Sequence, residues 1–112
     1  MMAALLAATL AILPPAEERV VASTAERYEL TYEQTALLRA IRRAENGKPH
    51  RAWGIEDKRC ACFEAQCAWA ANTIRLRYNG DLRAFAVRWC PLNWRVWLRN
   101  VRWFMDKQGF KK

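Results

Sequence analysis

Leu37, Leu38, Ile41 and Ala44 recur at spacings of three and four, which places one apolar stripe along a helix. Thr31 with Gln34 three residues later forms a capping-box pattern, and Glu33 in the first turn suits the helix dipole. Gly47 is placed to adopt the left-handed C′ conformation, so a helix of about four turns is predicted from Thr31 to Gly47. Phe63, Cys67, Ala70, Ile74 and Tyr78 predict a second helix over residues 61–78, closed by Asn79-Gly80. Trp69 lies off that stripe and is expected to face another element or a cleft. Asp81 caps a third helix over 82–89 with Leu82, Phe85, Ala86 and Trp89 inward, and Pro91 breaks it. Asn93 caps a last helix whose Trp94, Trp97, Val101 and Phe104 repeat at three, four and three, with Gly109 beyond its end. Residues 48–59 are polar, contain Pro49 and Gly54, and read as a loop or short hairpin. The pattern predicts a mainly helical domain of about four helices with one irregular insert after the first.

The N-terminus is different. Residues 1–13 are an apolar run without a charged side chain, ended by Pro14-Pro15-Ala16. Its length suits the apolar region of a secretory signal and is short for a membrane span. The positive n-region of such a signal is missing, and cleavage after Ala16, Ala22 or Ala25 fits equally. A buried N-terminal helix, or an uncleaved segment that associates transiently with a membrane, are the alternatives. Residues 17–29 read as a polar connector without periodicity. The expected division is residues 1–25 as signal or apolar segment plus connector, and 26–112 as the domain.

Charge sharpens that division. The chain carries net +8 over 112 residues. Residues 1–30 hold Arg19 and Arg27 against Glu17, Glu18, Glu26 and Glu29, so the remainder carries +10. Such a domain selects an anionic partner: nucleic acid, an anionic membrane surface or the acidic polymers of a bacterial envelope. Arg95, Arg99 and Arg102 form a basic face opposite the tryptophan stripe, which fits phosphates and is also the ordinary solvated side of an amphipathic helix. An export signal argues against DNA or RNA. No nucleotide-binding glycine loop or internal repeat is present, and neither a metal nor a cofactor is implied.

Cys60, Cys62, Cys67 and Cys90 are an even set, which in an exported chain reads as two disulfides. Cys60 and Cys62 are too close to bridge comfortably. The pairings left are Cys60–Cys67 with Cys62–Cys90, or Cys60–Cys90 with Cys62–Cys67, and buried free thiols are the alternative. The C-x-C spacing fits structural zinc patterns poorly.

Glu45 ends the first predicted helix. There the dipole disfavours a charged carboxylate, as suits a general acid, while Arg42, Arg43 and Lys48 favour the charge. Ala44-Glu45-Asn46-Gly47 followed by Trp53-Gly54-Ile55 resembles the lysozyme-like superfamily, which includes lytic transglycosylases and phage endolysins. Its members carry an active-site Glu at a helix end, then a hairpin region with a Gly-hydrophobic segment. The resemblance implies an α+β lysozyme-like fold, Glu45 as catalytic acid, and Asn46, Trp53, Gly54 and Ile55 at the substrate. The chain departs from the transglycosylase pattern after Ile55, where Glu56 and Asp57 stand in place of a Gln. Phe85 through Pro91, then Trp97 to Val101, is similar to the closing segment of some muramidase-like proteins. By that likeness Asn100 reaches the cleft; a bond to backbone near the first helix is the structural alternative.

The implied reaction is cleavage of peptidoglycan, an anionic cell-wall polysaccharide, by a monomer that is exported or released from a phage-infected cell. Hydrolysis calls for a second carboxylate, for which Glu56, Asp57 and Glu64 are candidates. A transglycosylase needs only Glu45, because the substrate's own hydroxyl attacks. Two rivals remain: a basic nucleic-acid-binding module, and a disulfide-stapled secreted interaction protein in which Glu45 is a solvated helix end.

Overall fold

The computed structural model describes residues 12–45, 53–55 and 62–110. Five helices run through them: α1 (Pro15–Arg27), α2 (Tyr32–Glu45), α3 (Phe63–Arg77), α4 (Leu82–Trp89) and α5 (Trp94–Lys107). The fold is mainly helical. No strand occurs among the described residues, so the α+β detail of the expected fold is not seen, and residues 53–55 form a turn.

One helix more than expected is present, because residues 17–29 are not a connector. Pro14-Pro15 opens α1, with Pro15 at its first position and Glu17 and Glu18 in its first turn. Val21, Thr24 and Ala25 are buried, and Leu13 and Val21 join the common core. The buried stripe of α1 is only three residues, one of them the polar Thr24, too short to show as a helical period in the sequence. The boundary drawn at 25/26 thus falls inside a packed helix.

The remaining helices follow their signals. Thr31 and Gln34 form the reciprocal capping box, Thr31 N–H donating to Gln34 Oε1 at 2.9 Å and Gln34 N–H to Thr31 Oγ1 at 3.1 Å. Asp81 Oδ1 accepts from Ala84 N–H at 3.0 Å and caps α4. Cys62 Sγ takes the same place at α3, accepting from Ala65 N–H, and α3 starts at Phe63.

α2 is the central element. It packs most extensively on α5 and also against α1 and α3, while α4 lies on α5. Ala36, Leu37, Leu38, Ala40 and Ile41 are buried to within about one per cent of complete, more of the helix surface than the predicted stripe. Truncating such a leucine costs about 2–5 kcal/mol. α3 contributes Cys67, Ala70 and Ile74 as predicted, together with Gln66 and Ala71, and its C-cap Tyr78 is buried as well. Glu18 and Glu17 of α1 reach Arg39 and Arg42 of α2 at 2.6 and 2.8 Å. At the other end, Gln108 Nε2–H donates to Ala36 O at 2.9 Å and fixes the end of α5 against α2.

Candidate active site at the end of α2

Glu45 occupies the last turn of α2, half-buried. Two segments distant in sequence meet its carboxylate. From α5, Trp97 Nε1–H donates to Glu45 Oε2 at 3.0 Å. Trp97 is itself buried, its ring packed among Phe85 and Trp89 at centroid distances of 6.1 and 6.3 Å, so the donor is held by core packing. From the turn at residues 53–55, Gly54 presents its Cα directly to the carboxylate. A Cβ there would lie 2.6 Å from Glu45 Oε2 and 2.9 Å from Oε1, closer than atoms approach. Gly54 also has φ +76°, the left-handed region. The backbone conformation favours glycine, and a larger side chain would have to push the Glu45 carboxylate aside.

The turn is positioned by Trp53, which is fully buried. Its indole N–H donates to Leu38 O at 3.2 Å, and its ring packs on Phe63 at 4.3 Å. Buried Gln66 of α3 offers Oε1 to Trp53 N–H at 3.5 Å, a long contact. Trp53 is therefore a core anchor. Ile55 is half-buried and packs against the core, leaving Gly54 as the exposed member of the trio.

The two arginines of the last turn have partners elsewhere: Arg42 pairs with Glu17, and Arg43 lies over the Phe104 ring at 5.8 Å. Glu64 is exposed in the first turn of α3, where its charge acts on Cys67. Asn100 is exposed on α5, one turn after Trp97, and makes no side-chain hydrogen bond among the described residues. Asn46, Glu56, Asp57 and Cys60 lie outside the described residues, as do Lys48 and His50. Among the described residues no cluster of His, Cys, Asp and Glu is arranged to hold a metal ion.

Cys62, Cys67 and Cys90 carry free thiols. Neither expected scheme is therefore complete, since Cys62–Cys90 and Cys62–Cys67 are both absent. Cys62 is instead an exposed helix cap, and Cys67 is buried between α1 and α3, with the Thr24 hydroxyl hydrogen-bonded to it. Burial pushes its thiol up to about 11, against the smaller opposing effects of Thr24 and Arg27. Tyr78 is buried too, its hydroxyl without a hydrogen bond of good geometry and Glu33 beside it. Burial and the Glu33 and Asp81 carboxylates push its ionisation above the ordinary tyrosine range.

Sequence patterning placed Trp97 in the core but missed its role as the partner of Glu45. Spacing assigns a tryptophan to a face; it does not say which atom the indole N–H will meet. The chain matches no protein-family model, no curated protein and no solved structure.

Proposed function

We propose that this protein cleaves a β-linked glycan of the bacterial cell wall, with Glu45 as general acid. The supporting observation is the joint placement of Glu45, Gly54 and Trp97: a carboxylate at a helix end, oriented by an indole N–H and seated on an exposed glycine. A carboxylate that only terminated a helix would need neither partner. Its protonated form donates to the glycosidic oxygen, the C1–O bond breaks, and the leaving sugar departs as an alcohol. The attacking hydroxyl, from water or from the same sugar, then returns its proton to the Glu45 carboxylate. The internal route uses Glu45 alone. The water route calls on a second carboxylate, for which Glu56 and Asp57 directly follow the Gly54-Ile55 turn in sequence. The wall as substrate agrees with the net +8 charge.

Digestion of purified sacculi by the full chain, with mass analysis of the released fragments, tests the reaction. Anhydro-ended fragments identify attack by the internal hydroxyl; reducing ends identify water. Intact sacculi after prolonged incubation with folded protein would remove the proposal.

A further inference from the structure

The outer side of α5 carries an arrangement that the Glu45 site does not use. Arg95, Arg99 and Arg102 are exposed along it and form no ion pair among the described residues, whereas Arg39 and Arg42 of α2 are paired with Glu18 and Glu17. A shallow groove of about 350 Å³ runs beside these arginines, bordered by Trp94, Trp103 and Asp106. Arg102 also lines a neighbouring hollow of about 570 Å³ with Tyr78, Arg83 and Phe110, so the two concavities meet at that residue. From Arg95 to Arg102 the helix rises about 10 Å, room for more than one acidic group of an extended polymer.

We propose that this face binds an acidic wall polymer, with phosphate or carboxylate groups on a non-aromatic backbone, separate from the strand cut at Glu45. Charge complementarity selects a polyanion. The aromatic rings select against single-stranded nucleic acid. Trp94 is covered by the guanidiniums of Arg83 and Arg95 at 5.2 and 4.4 Å, and Trp103 by the Lys107 ammonium at 4.7 Å, with Phe104 against it edge-on. Rings engaged by cations are poor platforms for stacking bases, on which single-strand binding depends. A guanidinium packed over a ring still offers its N–H donors to phosphate or carboxylate. The choice of a wall polymer rests on the glycan-cleaving reading, whereas the binding readout needs no cleavage.

The test titrates the full chain with purified glycerol-phosphate teichoic acid, and in parallel with single-stranded DNA of equal phosphate content. Arg95→Gln/Arg99→Gln/Arg102→Gln is compared with Arg19→Gln/Arg75→Gln/Arg77→Gln, which removes the same charge from exposed positions on α1 and α3. Circular dichroism confirms that both triple variants fold. The expected result is at least about tenfold weaker teichoic acid binding in the α5 variant, less than about threefold weakening in the control, and steep loss with salt. Glu45→Gln should bind like the wild type. Equal weakening in both triples, no measurable binding by the wild type, or DNA bound more tightly than teichoic acid through the same three arginines would each overturn the proposal. Binding that persists in a protein unable to cut walls would leave this face standing and remove only the reaction at Glu45.

Discussion

Gly54 is the residue on which the site most depends for room. Gly54→Ala forces a Cβ into the Glu45 carboxylate at 2.6 Å and holds alanine at φ +76°. The backbone alone costs about 1–2 kcal/mol, and the overlap must displace either the turn or Glu45. Thermal unfolding should show the loss, and wall-clearing activity should fall further than stability does. Trp97→Phe keeps most of the packing but removes the N–H that holds Glu45 Oε2. If Trp97 positions the acid, the variant stays folded while kcat falls about ten- to a hundredfold, with KM little changed and the pH–rate profile displaced. An unchanged profile and kcat would make Trp97 a core residue only. Cys67 offers a separate check on packing. Burial holds its thiol at about 11 against the ordinary 9.0, so the folded state binds that proton more tightly than the unfolded chain does. Its contribution to stability is whole below about pH 9 and is lost as pH rises through about 11. At pH 8 a thiol reagent should modify exposed Cys62 quickly and Cys67 only at the rate of unfolding. Rapid labelling of Cys67 in the folded protein would contradict the described core.

At the scale of elements, α1 belongs to the helical body through Val21 and through two ion pairs to α2. Val21→Ser should lower stability by about 1.5–3 kcal/mol. Glu17→Gln and Glu18→Gln should each cost no more than about 1 kcal/mol, and less in high salt, because both pairs are partly exposed. Equal effects of the three substitutions would mean that α1 is held by charge rather than by its buried face. The same helix shows where sequence legibility ended. α2 and α4 announced themselves by caps that the structure forms, Thr31 with Gln34 and Asp81 at Ala84 N–H, and α3 and α5 by stripes long enough to count, whereas Asn93 starts α5 without a side-chain cap hydrogen bond. α1 buries only Val21, Thr24 and Ala25 between charged residues, and its amphipathicity emerges only once α2 and α3 supply the surface it covers. Glu45 and Gly54 were legible together as a motif; Trp97 was not, because its meeting with Glu45 across 52 positions is decided by how α5 packs on α2.

On the scale of the whole molecule, charge is distributed unevenly. The acids of α1 neutralise arginines of α2, and the outward arginines of α5 are left without ion pairs among the described residues. Glu45 and the arginine face so occupy different parts of one helical body, joined through α5, which bears Trp97 on its buried side and Arg95, Arg99 and Arg102 on the other. Raising salt should accordingly weaken attachment to the wall before it affects the intrinsic rate on short soluble glycan fragments. A parallel loss on both substrates would place the arginines in the reaction itself. Chemistry at Glu45 is tested most directly by the clearing of purified cell-wall suspensions by the full chain beside Glu45→Gln. The substitution keeps an acceptor for the Trp97 N–H and removes the transferable proton. Clearing by the wild type, with a loss of at least about a hundredfold in the variant at unchanged melting temperature, is the predicted result. Equal clearing by both proteins, or none by either while both are folded, would return Glu45 to the role of a helix terminus.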